Sequence, residues 1–241
     1  MLSVTSLSKR FGGFPAVSRV SFEVRPGEIL GLIGPNGSGK STTFNLIAGA
    51  LKPTSGSIRF NGVEIAGLPA HLVCRKGLAR TFQIPRPFRT MSLLDNATLA
   101  AFYGAGGAIA RSEARRRAVV ALDQVGLPAD PGAATEGLGA AALKKLELAR
   151  ALATQPRLLL ADESLGGLDA AETERAAALL DDIRRRLGIT IVWVEHIMGV
   201  LMRVVDRVIV LDHGELIFEG KPAAAASDPR VIEVYLGRQR R

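Results

Sequence analysis

Apolar residues arrive along this chain in two rhythms, short unbroken runs and longer helical spacings. Ile29–Ile33, Leu158–Ala161, Ile189–Val194 (with Thr190 inside it) and Arg207–Leu211 (apolar after its first residue) are runs of the first kind, the pattern of strands covered on both faces. Ser3–Leu7 and Val20–Val24 read as further strands, the second ended by the turn pair Pro26-Gly27. Ser57–Phe60 and Val63–Ile65 flank Asn61-Gly62, the dipeptide of a tight hairpin. From about 84 to 154 the strand patterns vanish. Ala, Leu and Arg at helical spacing replace them, which predicts a helical insert. A helix is expected from about Ser41 to Ala48, stopped near Gly49. Another starts at Asp169, with Glu172 placed to complete a capping box, and ends at Gly188. Strands alternating with helices imply an α/β fold with a mainly parallel sheet. An N-terminal antiparallel β subdomain precedes it.

The segment after the first buried strand carries chemistry. Gly34-Pro35-Asn36-Gly37-Ser38-Gly39-Lys40-Ser41, followed by Thr42, matches the P-loop spacing. Glycines at 34, 37 and 39 let backbone N–H groups turn inward around phosphate oxygens, and the helix beginning at Ser41 adds its positive end. Lys40 would reach the β- and γ-phosphates, and the Ser41 hydroxyl would bind Mg²⁺. Such a loop needs a second metal anchor at a strand tip. Leu158-Leu159-Leu160-Ala161-Asp162-Glu163 supplies one, with Asp162 emerging where open α/β sheets place ligands. Glu163, one residue on and pointing differently, suits a general base for the attacking water. The fold expected is thus a P-loop NTPase core.

Composition narrows the class. Hydrophobic residues make up 47% of 241, a globular balance. No window offers the roughly 18 apolar residues a membrane span needs, and no leader pattern is visible at the start, so a soluble cytosolic protein is expected. One cysteine, Cys74, cannot form an internal disulfide. Lys and Arg outnumber Asp and Glu by 31 to 23, with clusters at Arg111–Arg117, Arg184–Arg186 and Arg238–Arg241. These runs lack aromatic interleaving, so no nucleic-acid partner is expected.

Together these motifs resemble the ATP-binding cassette ATPases, over essentially the whole chain. The resemblance implies a single ABC ATPase domain, residues 1–241. Its nucleotide-binding core would be about 1–83 and 155–222, its helical subdomain about 84–154, its tail 223–241. Gln83 in Arg80-Thr81-Phe82-Gln83 is similar to the family's glutamine that senses Mg²⁺ and water. Asp169 matches the D-loop aspartate, and His196 the switch histidine at the γ-phosphate. Phe11, or alternatively Phe14, would stack on adenine. ATP and Mg²⁺ are the cofactors implied.

The signature motif departs from the family. Where Leu-Ser-Gly-Gly-Gln is usual, this chain has Leu138-Gly139-Ala140-Ala141-Ala142. Gly139 offers no hydroxyl, and a Cβ at Ala141 obstructs close backbone approach. A dimer with two unequal sites is expected, a heterodimer with a second ATPase subunit before a homodimer. The segments Arg80–Phe88, Val194–Met198 and Asp228–Gly237 resemble ATPases of branched-chain amino-acid importers. That implies transmembrane permease subunits as partners, docked near residues 84–103. A periplasmic or extracellular solute-binding protein would act indirectly, and the chain would sit at the inner face of the membrane. Lipopolysaccharide exporters and urea or amide importers share parts of these segments. A soluble, non-transport ABC ATPase is the alternative class.

Overall fold

The computed structural model describes residues 1–163, 166–195 and 198–236. In chain order its elements begin with β1 (Leu2–Phe11), β2 (Phe14–Val24), β3 (Ile29–Ile33) and α1 (Lys40–Ile47). Next come β4 (Ser55–Phe60), β5 (Val63–Glu64), α2 (Ala70–Arg75) and β6 (Leu78–Arg80). The middle holds α3 (Leu93–Gly104), α4 (Arg111–Gln124), α5 (Ala140–Ala153), β7 (Leu158–Asp162) and α6 (Ala170–Leu187). The chain closes with β8 (Thr190–Val194), α7 (Met198–Val204), β9 (Arg207–Asp212), β10 (Glu215–Gly220), α8 (Pro222–Ser227) and α9 (Pro229–Leu236). Two compact units result, Met1–Ala70 with Thr190–Arg241, and His71–Ile189.

The first unit carries an antiparallel sheet ordered β2-β1-β4-β5. Leu2 faces both Val24 and Phe60, and Leu2, Val4, Ile58 and Phe60 are all buried. The β4–β5 turn has positive φ at both Asn61 (50°) and Gly62 (80°), as the Asn-Gly pair predicts for a two-residue hairpin. β1 and β2 run well past the expected strands because their distal halves are too exposed to show an apolar pattern. Register shifts along β1 twist that hairpin.

In the same unit β3 pairs in parallel with β8 and β9, and β10 closes the edge against β9. Every residue of β3 and β8 is buried, which is why both read as almost wholly apolar runs. Gly31 sits mid-strand because α7 and β9 crowd it: a Cβ there would lie 3.0 Å from Leu201 Cδ2 and 3.1 Å from Val208 Cγ1. At the strand entrance Arg207 donates to Glu28 (2.8 Å) and also pairs with Glu219, so a buried guanidinium is compensated by two carboxylates.

In the second unit β6 pairs in parallel with β7, Leu78 opposite Leu158 and Arg80 opposite Leu160. Helices α3, α4 and α5 pack on one another through small residues, Ala97, Ala101, Ala114, Ala118 and Ala149 among them, all essentially inaccessible. Asn96, fully buried on α3, accepts from Phe88 N (2.8 Å) and donates to Phe88 O and Ser92 O (both 3.0 Å). That one side chain anchors the connection leading out of β6. Cys74 on α2 is half-buried, and burial pushes its thiol up, away from reactive thiolate.

Candidate nucleotide site

The loop between β3 and α1 is shaped by its glycines. Gly34 has φ 149°, and a Cβ there would come within 2.2 Å of Leu211 O and 2.6 Å of Ser38 Oγ. Gly39, the α1 N-cap, has φ 102°, and its Cβ would meet Ala16 O at 2.7 Å. Gly37 also lies at positive φ (80°) but faces open space. A glycine at the cap leaves the first amides of α1 without a side-chain acceptor, and no acidic residue sits in its first turn. The positive end of the helix is therefore uncompensated from within, the condition for anion binding.

Lys40 is 8% exposed, and its Nζ donates to Gly34 O (2.7 Å) and Pro35 O (2.9 Å), curling the loop around its own ammonium. The Ser38 hydroxyl is buried with no hydrogen-bond partner among the described residues. Ser41 and Asn36 are exposed, and Pro35 and Thr42 half-buried. A cradle that side chains would fill, an orphaned hydroxyl and a captive ammonium fit a polyphosphate. The hairpin carrying Phe11 (48% exposed) and Phe14 (65%) joins β1 to β2, the strand whose Ala16 abuts Gly39. Lys9 Nζ lies 5.2 Å from the Phe11 ring centroid. Sequence patterns assign no role here to Tyr235 on α9, whose hydroxyl lies near the Gly34 backbone and whose pKa is pushed up by burial.

In the second unit three motifs converge at the tip of β7. Asp162, 6% exposed, ends that strand. Its Oδ2 pairs with Arg80 Nη2 at 2.6 Å, and its amide donates to Thr81 Oγ1 at 3.2 Å. The Arg80 guanidinium also lies over the Phe82 ring (5.1 Å). Glu163 follows with φ 41°, a left-handed conformation uncommon for a non-glycine residue, which swings its carboxylate away from that of Asp162. Gln83 Nε2 donates to that carboxylate. Lys144 on α5 donates to Gln83 O (2.6 Å) and Glu163 O (3.0 Å). Arg80 and Lys144 were not singled out from sequence; helical periodicity says nothing about which lysine reaches a carbonyl.

Asp169 caps α6. Its Oδ1 accepts from Glu172 N at 2.7 Å, and Glu172 Oε2 returns the bond to Asp169 N at 3.1 Å, the capping box expected. Gly139, in the degenerate signature, caps α5 with ordinary extended geometry (φ −70°, ψ 170°) and no side-chain bond. A Cβ there would meet nothing within 4 Å. His196 lies outside the described residues.

Residues 17–166 match the family of ABC transporters. The chain belongs to that family. As an ATP-binding cassette it also matches, at residues 215–240, the C-terminal region of branched-chain amino acid ATP-binding cassette transporters. It is 36% identical to the high-affinity branched-chain amino acid transport ATP-binding protein LivG of Escherichia coli (strain K12), over 98% of both chains. The BraF protein of Pseudomonas aeruginosa, of the same description, is also 36% identical over 98% of each chain. Among solved structures the cassette resembles a nucleotide-free ATP-binding cassette from an ABC transporter (TM-score 0.86, 27% identity, 99% of both chains). It also resembles a dimeric cassette in a post-hydrolysis state with ADP and Pi (TM-score 0.81, 27% identity, 92% of this chain and 99% of that one). Among the described residues no helix is long and apolar enough to cross a membrane.

Proposed function

We propose that this cassette binds and hydrolyses ATP to drive import of branched-chain or similar hydrophobic amino acids. The observation that carries the cargo is the 36% identity to LivG and BraF over 98% of each chain. Hydrolysis is supported by the Gln83–Glu163 contact at the strand tip, where an amide orients the carboxylate suited to take a proton from water. Loop amides of residues 34–42 receive phosphate oxygens, and Lys40 exchanges the carbonyls of Gly34 and Pro35 for them. Phe11 stacks on the adenine. Ser41, Asp162 and Gln83 offer hard oxygen donors of the kind Mg²⁺ prefers. Mg²⁺, when held by these donors, would supply charge neutralisation at the phosphates. Arg80 already pairs with Asp162, so a metal held there would meet a carboxylate whose charge is partly compensated. Asp169 and His196 complete the site in this reading, Asp169 through the turn it caps.

Permease subunits are the membrane partners, and a solute-binding protein acts through them, which places the cassette at the inner face of the membrane. Because Leu138–Ala142 lacks the serine and glutamine of an intact signature, the second ATPase subunit is a different chain that supplies one. The assembled complex in vesicles tests this directly. ATPase stimulation by leucine, isoleucine or valine with their binding protein is expected. Stimulation by urea or an amide instead, or by neither, would overturn the cargo.

A further inference from the structure

We infer that Lys144 is a positioning residue for hydrolysis, the side chain through which the signature helix holds the Gln83–Glu163 pair. The inference rests on Glu163 being the base proposed above. Gln83 and Glu163 are distant in sequence, yet their carbonyls receive the same ammonium at 2.6 and 3.0 Å while their side chains bond to each other. Two strand-end segments are thereby closed into a ring through one lysine. Glu163 most needs such support. Its φ of 41° is a conformation that persists only where surroundings over-determine it, and its carbonyl is held by Lys144 and by Gly166 N (3.3 Å). Lys144 is half-buried, and it lies only five positions beyond Gly139, the cap at which the degenerate signature turns into α5. The stiffness of the helix makes displacement of the signature turn a displacement of the ammonium. Contact at the signature would then reach the base without any intervening element.

The test compares Lys144→Met, Lys144→Arg, Glu163→Gln and the Lys144→Met/Glu163→Gln double variant of this chain in the assembled complex. Measured are ATP affinity, kcat, KM and melting temperature. Lys144→Met should lower kcat about tenfold, the scale on which small misplacements act, with ATP affinity and KM unchanged. Lys144→Arg, which can still donate to both carbonyls, should restore kcat to within about threefold. In the Glu163→Gln background the Lys144→Met change should add almost nothing, because both act on one group. Wild-type kcat in Lys144→Met beside a dead Glu163→Gln would overturn the inference and leave the base assignment standing. Full activity of Glu163→Gln would instead sink the base assignment. Should Lys144→Met fail to fold, the Arg variant decides alone: a tenfold loss of kcat at normal melting temperature also refutes the role of the carbonyl bonds.

Discussion

Replacing Gly34 by alanine probes the phosphate loop where it is tightest. The added Cβ would sit 2.2 Å from Leu211 O, well inside the 3.0 Å that real Cβ atoms keep, and Leu211 is held in β9 between β3 and β10. Backbone cannot swing aside as a flexible side chain would. Overpacking of this kind costs about 1–3 kcal/mol. The φ of 149° adds strain on the order of 1–3 kcal/mol for any residue with a Cβ. Gly37→Ala is the internal control. It shares a positive φ (80°) but meets open space, so only the conformational cost of about 1–2 kcal/mol applies. The two variants should therefore differ by roughly 2 kcal/mol, which for a chain of this size corresponds to about 4–8 °C in Tm. Calorimetry of both variants beside the wild type measures the gap. Equal melting temperatures would refute the close approach of β9 to the loop.

Gly139→Ser places a hydroxyl at a vacant helix cap with free space around it, and should stabilise the chain by a few tenths of a kcal/mol in denaturant titrations; a loss would mean the cap geometry is wrong. Adding Ala141→Gly and Ala142→Gln should raise ATP turnover in the assembled complex, and an unchanged rate would contradict two unequal sites. On α4, hydrogen bonds from Arg116 and then Arg117 hold Glu113 down to about 2 from the usual 4.5. A depressed carboxylate stabilises fully above pH 4.5 and loses that contribution as pH falls toward 2. The stability difference between wild type and Glu113→Gln should accordingly shrink across that window in acid titrations. A difference independent of pH would refute the assignment.

Legibility followed locality. β3 was readable to the residue because full burial writes an unbroken apolar run, and α6 was readable at both ends because its capping box and its αL Gly188 are local devices. The Asn61-Gly62 turn was equally plain, although β5 stops at Glu64, one residue short of the apolar pattern. The short elements α2 and β6 escaped notice, since Leu78–Arg80 is too brief for any period and is a strand only because β7 pairs with it. Among the candidate residues of the two units, glycine and acid-after-strand patterns marked Gly34 and Lys40 in one and Asp162 and Glu163 in the other. The partners of those groups did not stand out. Arg80, Lys144 and Tyr235 come from other elements, and only tertiary folding decides which basic or phenolic side chain arrives.

The loop at 34–42 holding a triphosphate around Lys40 is the claim everything else needs. Equilibrium binding of ATP to the full-length chain, wild type against Lys40→Ala, tests it most directly. Loss of measurable binding in the variant is the predicted result, with the fold retained by circular dichroism. Affinity within about twofold of wild type would contradict the claim, since a charge-assisted bond of this kind should be worth about 1.5–3 kcal/mol, more than a tenfold change.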